Sequence, residues 1–200
     1  RRRFGGECSC GRSVGANMIS KQAILAWIRN LAEIYHDNRE YLTELDAAIG
    51  DADHGINMNR GFTKVVEKLT EVESKSIGDI LQGVGMTLVS SVGGASGPLF
   101  GTFFLRAGMA VGNREDLDTQ AVMAMFEAGL EGVIQRGRAE PLDKTMVDAM
   151  QPALAAMRAA FEAGQSLREA LEAATAAAEG GMLATIPLKA RKGRASYIGD

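Results

Sequence analysis

The 200-residue sequence holds two cysteines, Cys8 and Cys10, both in the first ten positions. A C-x-C with no second pair excludes a disulfide framework and fits a reducing, cytoplasmic compartment. No apolar run reaches the roughly 18 residues of a membrane span, so no membrane association is expected. Basic residues are not in excess: the net charge of -3 argues against a nucleic-acid binder. Proline (4 residues) and aromatics (6%) are scarce. Stretches of strand period and internal repeats of roughly 20 to 50 residues are missing as well. His36 and His54 are the only histidines, and neither sits in a recognisable triad.

What is abundant is Ala, Leu, Met and Glu, a helical composition in a chain long enough for one domain with a sizeable core. Residues 1–17 are basic and Gly-rich without the apolar stretch of a secretory signal. They read as a disordered leader or cloning remnant, and 18–200 as a single helical domain starting at Met18.

Ser20 is placed as an N-cap, and Ile24, Trp27, Ile28, Leu31, Ile34 and Tyr35 recur at helical steps behind it. Trp27 and Tyr35 read as core, and His36 as surface. A short second helix with Tyr41, Leu42 and Leu45 delivers Asp46 in its last turn. Further helices are expected over His54 to Val72, over Ile77 to Ser91, from the Gly-rich stretch Val92 to Thr102 onward with Pro98 in the first turn, over Asp118 to Gln135, from Thr145 or Asp143 onward, and from Gln165 and Ser166 through Ala184. Short loops make most neighbours antiparallel. The fold expected is all-α, with about eight helices.

One stretch stands out, Asp46 to Gly61, which reads D-A-A-I-G-D-A-D-H-G-I-N-M-N-R-G. Asp46, Asp51 and Asp53 would repel each other if left bare, and a structure that keeps them together normally neutralises them with a cation. The ligands on offer are oxygens with no Cys nearby, which favours Mg2+ or Ca2+ over zinc. Counted from Asp51, an EF-hand loop would need Gly and Glu where Ile56 and Phe62 stand. Mg2+ held against a nucleotide is the better reading, because that ion shares its sites with phosphate oxygens. The bland alternative makes Asp51 a helix cap, which explains one Asp and not three. The helix start beside the cluster favours bound anions.

Val92 to Thr102 is Gly-rich and suits close backbone approach to a ligand. It is no Walker A loop, since no Lys follows Gly101. By itself it fits tight helix packing equally well. Lys189, Arg191, Lys192 and Arg194 form a compact basic loop. Solvated surface, nuclear localisation and a phosphate-facing loop are all open for it.

Four motifs resemble one family. G-D-A-D-H-G-x-N-M-x-R-G, S-S-V-G-G-A-S-G-P-L-F-G-T-F-F, G-R-A-E-P-x-D-K-T-M and A-R-K-G-R-A-S-Y resemble the nucleotide-binding L subunit of dihydroxyacetone kinase, over Met18 to Asp200. The resemblance implies a closed barrel of antiparallel helices with the nucleotide at one end. It makes Asp46, Asp51 and Asp53 the ligands of two Mg2+ ions that bridge to the diphosphate of ADP or ATP. His54 and Asn57 would line that site, and Gly94, Ala95 and Ser96 would approach the phosphates and nucleoside. Leu99, Gly137 and Met146 would wall the base pocket, with Arg194 near the phosphates. The substrate dihydroxyacetone would sit on a separate K subunit, which leaves this chain no catalytic nucleophile.

The activity implied is a phosphotransferase whose bound ADP is rephosphorylated by a phosphohistidine donor of the phosphotransferase system. The alternatives are an ATP-dependent dihydroxyacetone kinase domain, a fatty-acid kinase nucleotide domain, a nucleotide-dependent partner of a transcription regulator, and a helical protein with an incidental acidic loop. A homodimer is also implied. Members of the family continue with a G-H-x-D-P-G-A turn and a last apolar helix, which this sequence lacks.

Overall fold

Ser20 opens the helical part of the chain: its Oγ accepts the backbone N–H of Ala23 at 3.3 Å. The computed structural model describes residues 18–198. The expected leader, 1–17, lies outside the described residues. Eight α-helices follow one another: α1 (Lys21–Asp37), α2 (Arg39–Ala47), α3 (His54–Val72), α4 (Ile77–Ser91), α5 (Ser96–Val111), α6 (Thr119–Gly137), α7 (Val147–Glu162) and α8 (Leu167–Ala184). A short 3-10 turn, Arg194–Tyr197, comes after them.

An N-cap side chain sets four of the eight starts, that of Ser20 among them. Ser76 Oγ accepts from Asp79 N–H at 3.2 Å, and Asp118 Oδ1 accepts from Ala121 N–H at 2.7 Å. Ser166 and Glu169 form a reciprocal capping box, which satisfies two backbone donors at once. The start of α7 differs from expectation. It begins at Val147, after Thr145 and Asp143. Asp148 turns back to accept the N–H groups of Leu142 (2.6 Å) and Thr145 (2.8 Å), so the preceding residues fold as a turn.

Neighbouring helices run antiparallel. On α4, Gly78 lies against Gly108 of α5, and Gly85 against Gly101. A Cβ on Gly85 would come within 2.7 Å of the Gly101 carbonyl oxygen, so the two backbones nearly touch. Contacts run in order from α3 through α8, with α1 and α2 laid against α3. Trp27 of α1 then reaches inward to Phe104 of α5 and Phe126 of α6, at centroid distances of 5.7 and 6.0 Å. Tyr35 stacks on Phe62 at 4.6 Å. Each such ring contributes roughly 1.5–3 kcal/mol by burial and about 0.5–1.5 kcal/mol more per well-oriented pair. The inner faces of α3 and α6 carry Met58, Phe62, Val65, Leu69, Val122, Met125, Leu130 and Val133, all buried, with Val66 and Phe126 partly buried against them.

One feature is not helical. Ile19 and Ser20 (β1) pair antiparallel with Leu117 and Asp116 (β2). Two residues are too few to show a strand period, so the sequence carried no sign of them. Lys21 adds a hydrogen bond from its backbone N–H to Glu115 O (3.2 Å) and an ion pair to the Glu115 carboxylate (2.5 Å). This ties the start of α1 to the α5–α6 connection. The opposite end of the bundle collects the α2–α3, α4–α5 and α6–α7 connections and the chain after α8. Among the described residues, no helix is long and apolar enough to cross a membrane.

Candidate functional site

Gly55 sets the geometry at that second end. It is buried where α3 begins, and a Cβ there would run into the Arg39 carbonyl of α2 and come within 2.6 Å of Thr43 Oγ1. The close crossing brings the end of α2 beside the start of α3. Asp46, in the last turn of α2, then accepts the N–H groups of Asp53 (2.9 Å) and His54 (3.2 Å) through Oδ2. Asp53 occupies the N-cap position without capping, and Asp51 does not cap either. Asp46 does that work from eight residues away.

Ala52 lies between the other two aspartates with φ of 58°. A non-glycine residue in the left-handed region costs about 1 kcal/mol or more, and here the chain reverses at that residue. The outcome is that Asp46, Asp51 and Asp53 each offer a carboxylate oxygen within 4.8 Å of the others. Asp46 is half-buried, and Asp51 and Asp53 are exposed.

A cation already sits there. Arg194 Nη1 is 2.5 Å from Asp51 Oδ1. The Arg194 guanidinium beside Asp51 holds its carboxyl below the ordinary carboxylate value. In return Asp51, with Asp53 and Asp46 adding at longer range, holds Arg194 more firmly charged. The guanidinium stands in for positive charge that three converging carboxylates require. All the donors are hard oxygens, a set that fits Mg2+.

The Gly-rich connection closes the other side. Ser96 Oγ lies 3.1 Å from His54 Nδ1. These are the first residues of α5 and α3, so two helix N-termini meet at the cluster, each with the positive end of its dipole. Gly94 takes a left-handed φ of 67°, and Ala95 is the N-cap of α5. Asn57 is 7% exposed and packs under Gly93, where a Cβ would approach its Nδ2 to 3.1 Å. Its Oδ1 accepts from Arg60 at 2.7 Å, and Arg60 reaches on to Ser91 O.

The structure therefore brings together Asp46, Asp51, Asp53, His54, Asn57, Ser96 and Arg194, with Gly94 and Ala95 in the adjoining loop. Of the expected base-pocket residues, Leu99 and Gly137 meet: a Cβ on Gly137 would lie 3.3 Å from Leu99 Cδ2. Met146 is the N-cap residue of α7, half-buried against the core. Sequence reasoning missed Asp143 and Lys144, which touch the segment that carries Arg194. The signal was the motif G-R-A-E-P-x-D-K-T-M, which contains both, but nothing in the spacing joins residues about fifty positions apart.

Comparison with known proteins gives the family. The DAK2 domain model matches residues 48–200. The ADP-binding subunit DhaL of the PEP-dependent dihydroxyacetone kinase of Escherichia coli (strain K12) is 53% identical over 182 residues, covering 91% of this chain and 87% of that protein. The PTS-dependent counterpart of Lactococcus lactis subsp. lactis (strain IL1403) is 37% identical over 183 residues, 92% of this chain and 87% of that protein. The dihydroxyacetone kinase of C. freundii, solved in complex with AMP-PNP and Mg2+, superposes with a TM-score of 0.63 at 25% identity. The alignment takes in 92% of this chain and 33% of that longer one. The chain belongs to the DAK2 domain family, with the ADP-binding L subunits of dihydroxyacetone kinase.

Proposed function

We propose that this chain is the nucleotide-carrying subunit of a dihydroxyacetone kinase. It keeps ADP bound with Mg2+, and a phosphohistidine donor of the phosphotransferase system adds a phosphoryl group to that ADP. The terminal phosphoryl then passes to a hydroxyl of dihydroxyacetone held on a separate K subunit, which leaves ADP in place. The observation that carries the reading is the convergence of Asp46, Asp51 and Asp53 beside the N-termini of α3 and α5.

Each residue has a definite task in this reading. Asp46, Asp51 and Asp53 hold two Mg2+ ions, which when bound screen the phosphate charge and align it for in-line transfer. The start of α5, and the N–H groups of α3 that Asp46 does not take, would face the phosphates, as helix starts do for anions. His54 and Ser96 fix the two helix ends against each other, and Asn57 supports them from below. Gly94 and Ala95 let the backbone approach the nucleotide closely. Leu99, Gly137 and Met146 wall the base. Arg194, which here pairs with Asp51, would serve the phosphates if Mg2+ took its place beside that carboxylate. Arginine suits that position because its charge is permanent and its donors match phosphate oxygens. No general base or nucleophile is needed on this chain, because the acceptor hydroxyl belongs to the partner's substrate. The reading includes a cytoplasmic protein that works as a homodimer.

Native mass spectrometry of protein purified without added nucleotide tests this. One ADP with magnesium per chain is expected, retained through dialysis and slow to exchange with free ATP. Rapid exchange would favour the ATP-dependent kinase chemistry. Protein that carries no nucleotide and shows no Mg-dependent ADP binding by calorimetry would overturn the reading.

A further inference from the structure

After α8 the chain comes back to the site along the α6–α7 loop. Lys144 Nζ donates to the carbonyl oxygens of Ile186 (3.2 Å) and Leu188 (2.9 Å). The backbone N–H of Arg191 donates to Asp143 O at 3.0 Å, and Lys192 Nζ is 3.7 Å from Asp143 Oδ2. Asp143 is 3% exposed, and its Oδ2 also accepts the Glu140 N–H at 2.9 Å. The loop beneath is stiffened in turn by Asp148, and Leu142 and Lys144 both hold left-handed backbone, φ 69° and 60°. Four contacts thus fasten residues 186–192 to a braced loop. Gly193, itself left-handed at φ 63°, then turns the chain, and the next residue is Arg194 on Asp51.

From this arrangement we infer that Asp143 and Lys144 are positioning residues for Arg194. They fasten the returning segment so that its guanidinium stays within reach of the acidic cluster. The inference rests on the proposed function only in giving Arg194 a nucleotide to serve. The physical case is separate. The side chains of Arg194 and Asp51 are 60% and 52% exposed, and an exposed pair formed from a loose tail hardly persists. Fastening the chain two residues away turns the encounter into an intramolecular one at high effective concentration. Lys144 is well suited to the task, since its side chain spends two of its three donors on backbone carbonyls rather than on another charge.

The test uses Lys144→Met, which keeps the apolar stem and removes the two donations, with Lys144→Arg as the conservative variant. Two readouts are taken. Hydrogen exchange on nucleotide-free protein should show the amides of 186–194 exchanging at least about tenfold faster in Lys144→Met and near the native rate in Lys144→Arg. The release rate of a fluorescent ADP analogue should rise roughly tenfold in Lys144→Met, the loss expected for hydrogen bonds to a charged group. In an Arg194→Met background the same change should alter release less than twofold. Equal acceleration in both backgrounds would mean that Lys144 merely supports the pocket and would overturn the inference. So would unchanged exchange across 186–194. If the native protein retained no ADP analogue, the proposed function would fail, and the exchange readout would still decide the inference.

Discussion

Asp46 accepts the backbone N–H of His54 across eight residues of chain, at 3.2 Å, and so joins the last turn of α2 to the first turn of α3. The same oxygen accepts from Asp53. One carboxylate oxygen therefore serves the fold and leaves the other, Oδ1, for the site. Asp46→Ala should cost about 1 kcal/mol of stability without any metal present, the ordinary cost of a lost helix cap. Asp46→Asn keeps an acceptor oxygen and should lose less than half of that. Urea unfolding in EDTA separates the two variants, and equal stability for Ala and wild type would contradict the capping role.

Asp51 has no such second task. Its partner is the exposed Arg194. Asp51→Asn should weaken Mg-dependent ADP binding by at least about a hundredfold, since a carboxylate that would touch the metal is gone. The melting temperature of the metal-free protein should change little, because the pair with Arg194 that is lost is exposed on both sides. Calorimetric titration together with a melt checks both halves. Stoichiometric ADP retained by this variant would refute the assignment.

The contact between α4 and α5 predicts opposite signs for two neighbouring glycines. A methyl at Gly85 meets the Gly101 carbonyl and the Leu105 backbone at 2.7–2.8 Å. Gly85→Ala should therefore destabilise by about 1–3 kcal/mol. At Gly83 the nearest atom is a Val72 methyl at 3.6 Å, an ordinary contact. Gly83→Ala should stabilise by up to about 1 kcal/mol through helix propensity. Chemical denaturation of the two single variants checks the pair.

Tyr35, stacked on Phe62, has its phenol pushed up to about 12 by burial. Its native value thus lies above the unfolded one, near 10. The native state holds the proton longer, so the stability this gives is complete below about pH 10 and is lost as pH rises towards 12. Absorbance titration should show one late phase, that of the buried Tyr35. That phase should vanish in Tyr35→Phe. A single transition for all three tyrosines would contradict the burial.

The parts legible in the sequence were those written in local chemistry. Ser20, Asp118 and Ser166 cap the helices expected behind them, and α3 and α4 have the bounds expected of them. The acidic loop was legible because three like charges so close together need a reason. The parts not legible depend on residues far apart in the chain. Asp46 as the cap of α3 follows from the α2–α3 crossing at Gly55, which no local pattern encodes. Arg194 was placed near the phosphates by resemblance alone. Its ion pair with Asp51 depends on a loop some fifty residues earlier that folds around two buried or half-buried carboxylates, Asp143 and Asp148.

The two-residue ladder of Ile19 and Ser20 with Leu117 and Asp116 has a practical side. It pins the exposed Met18 at the end of the bundle away from the carboxylates, separated from them by the length of α4, 15 residues or about 22 Å. A biosensor linker anchored at that methionine would hold the molecule by its heel, with the working end turned to the flow cell. Pulling on the same handle would load that miniature clasp before any long helix felt the strain.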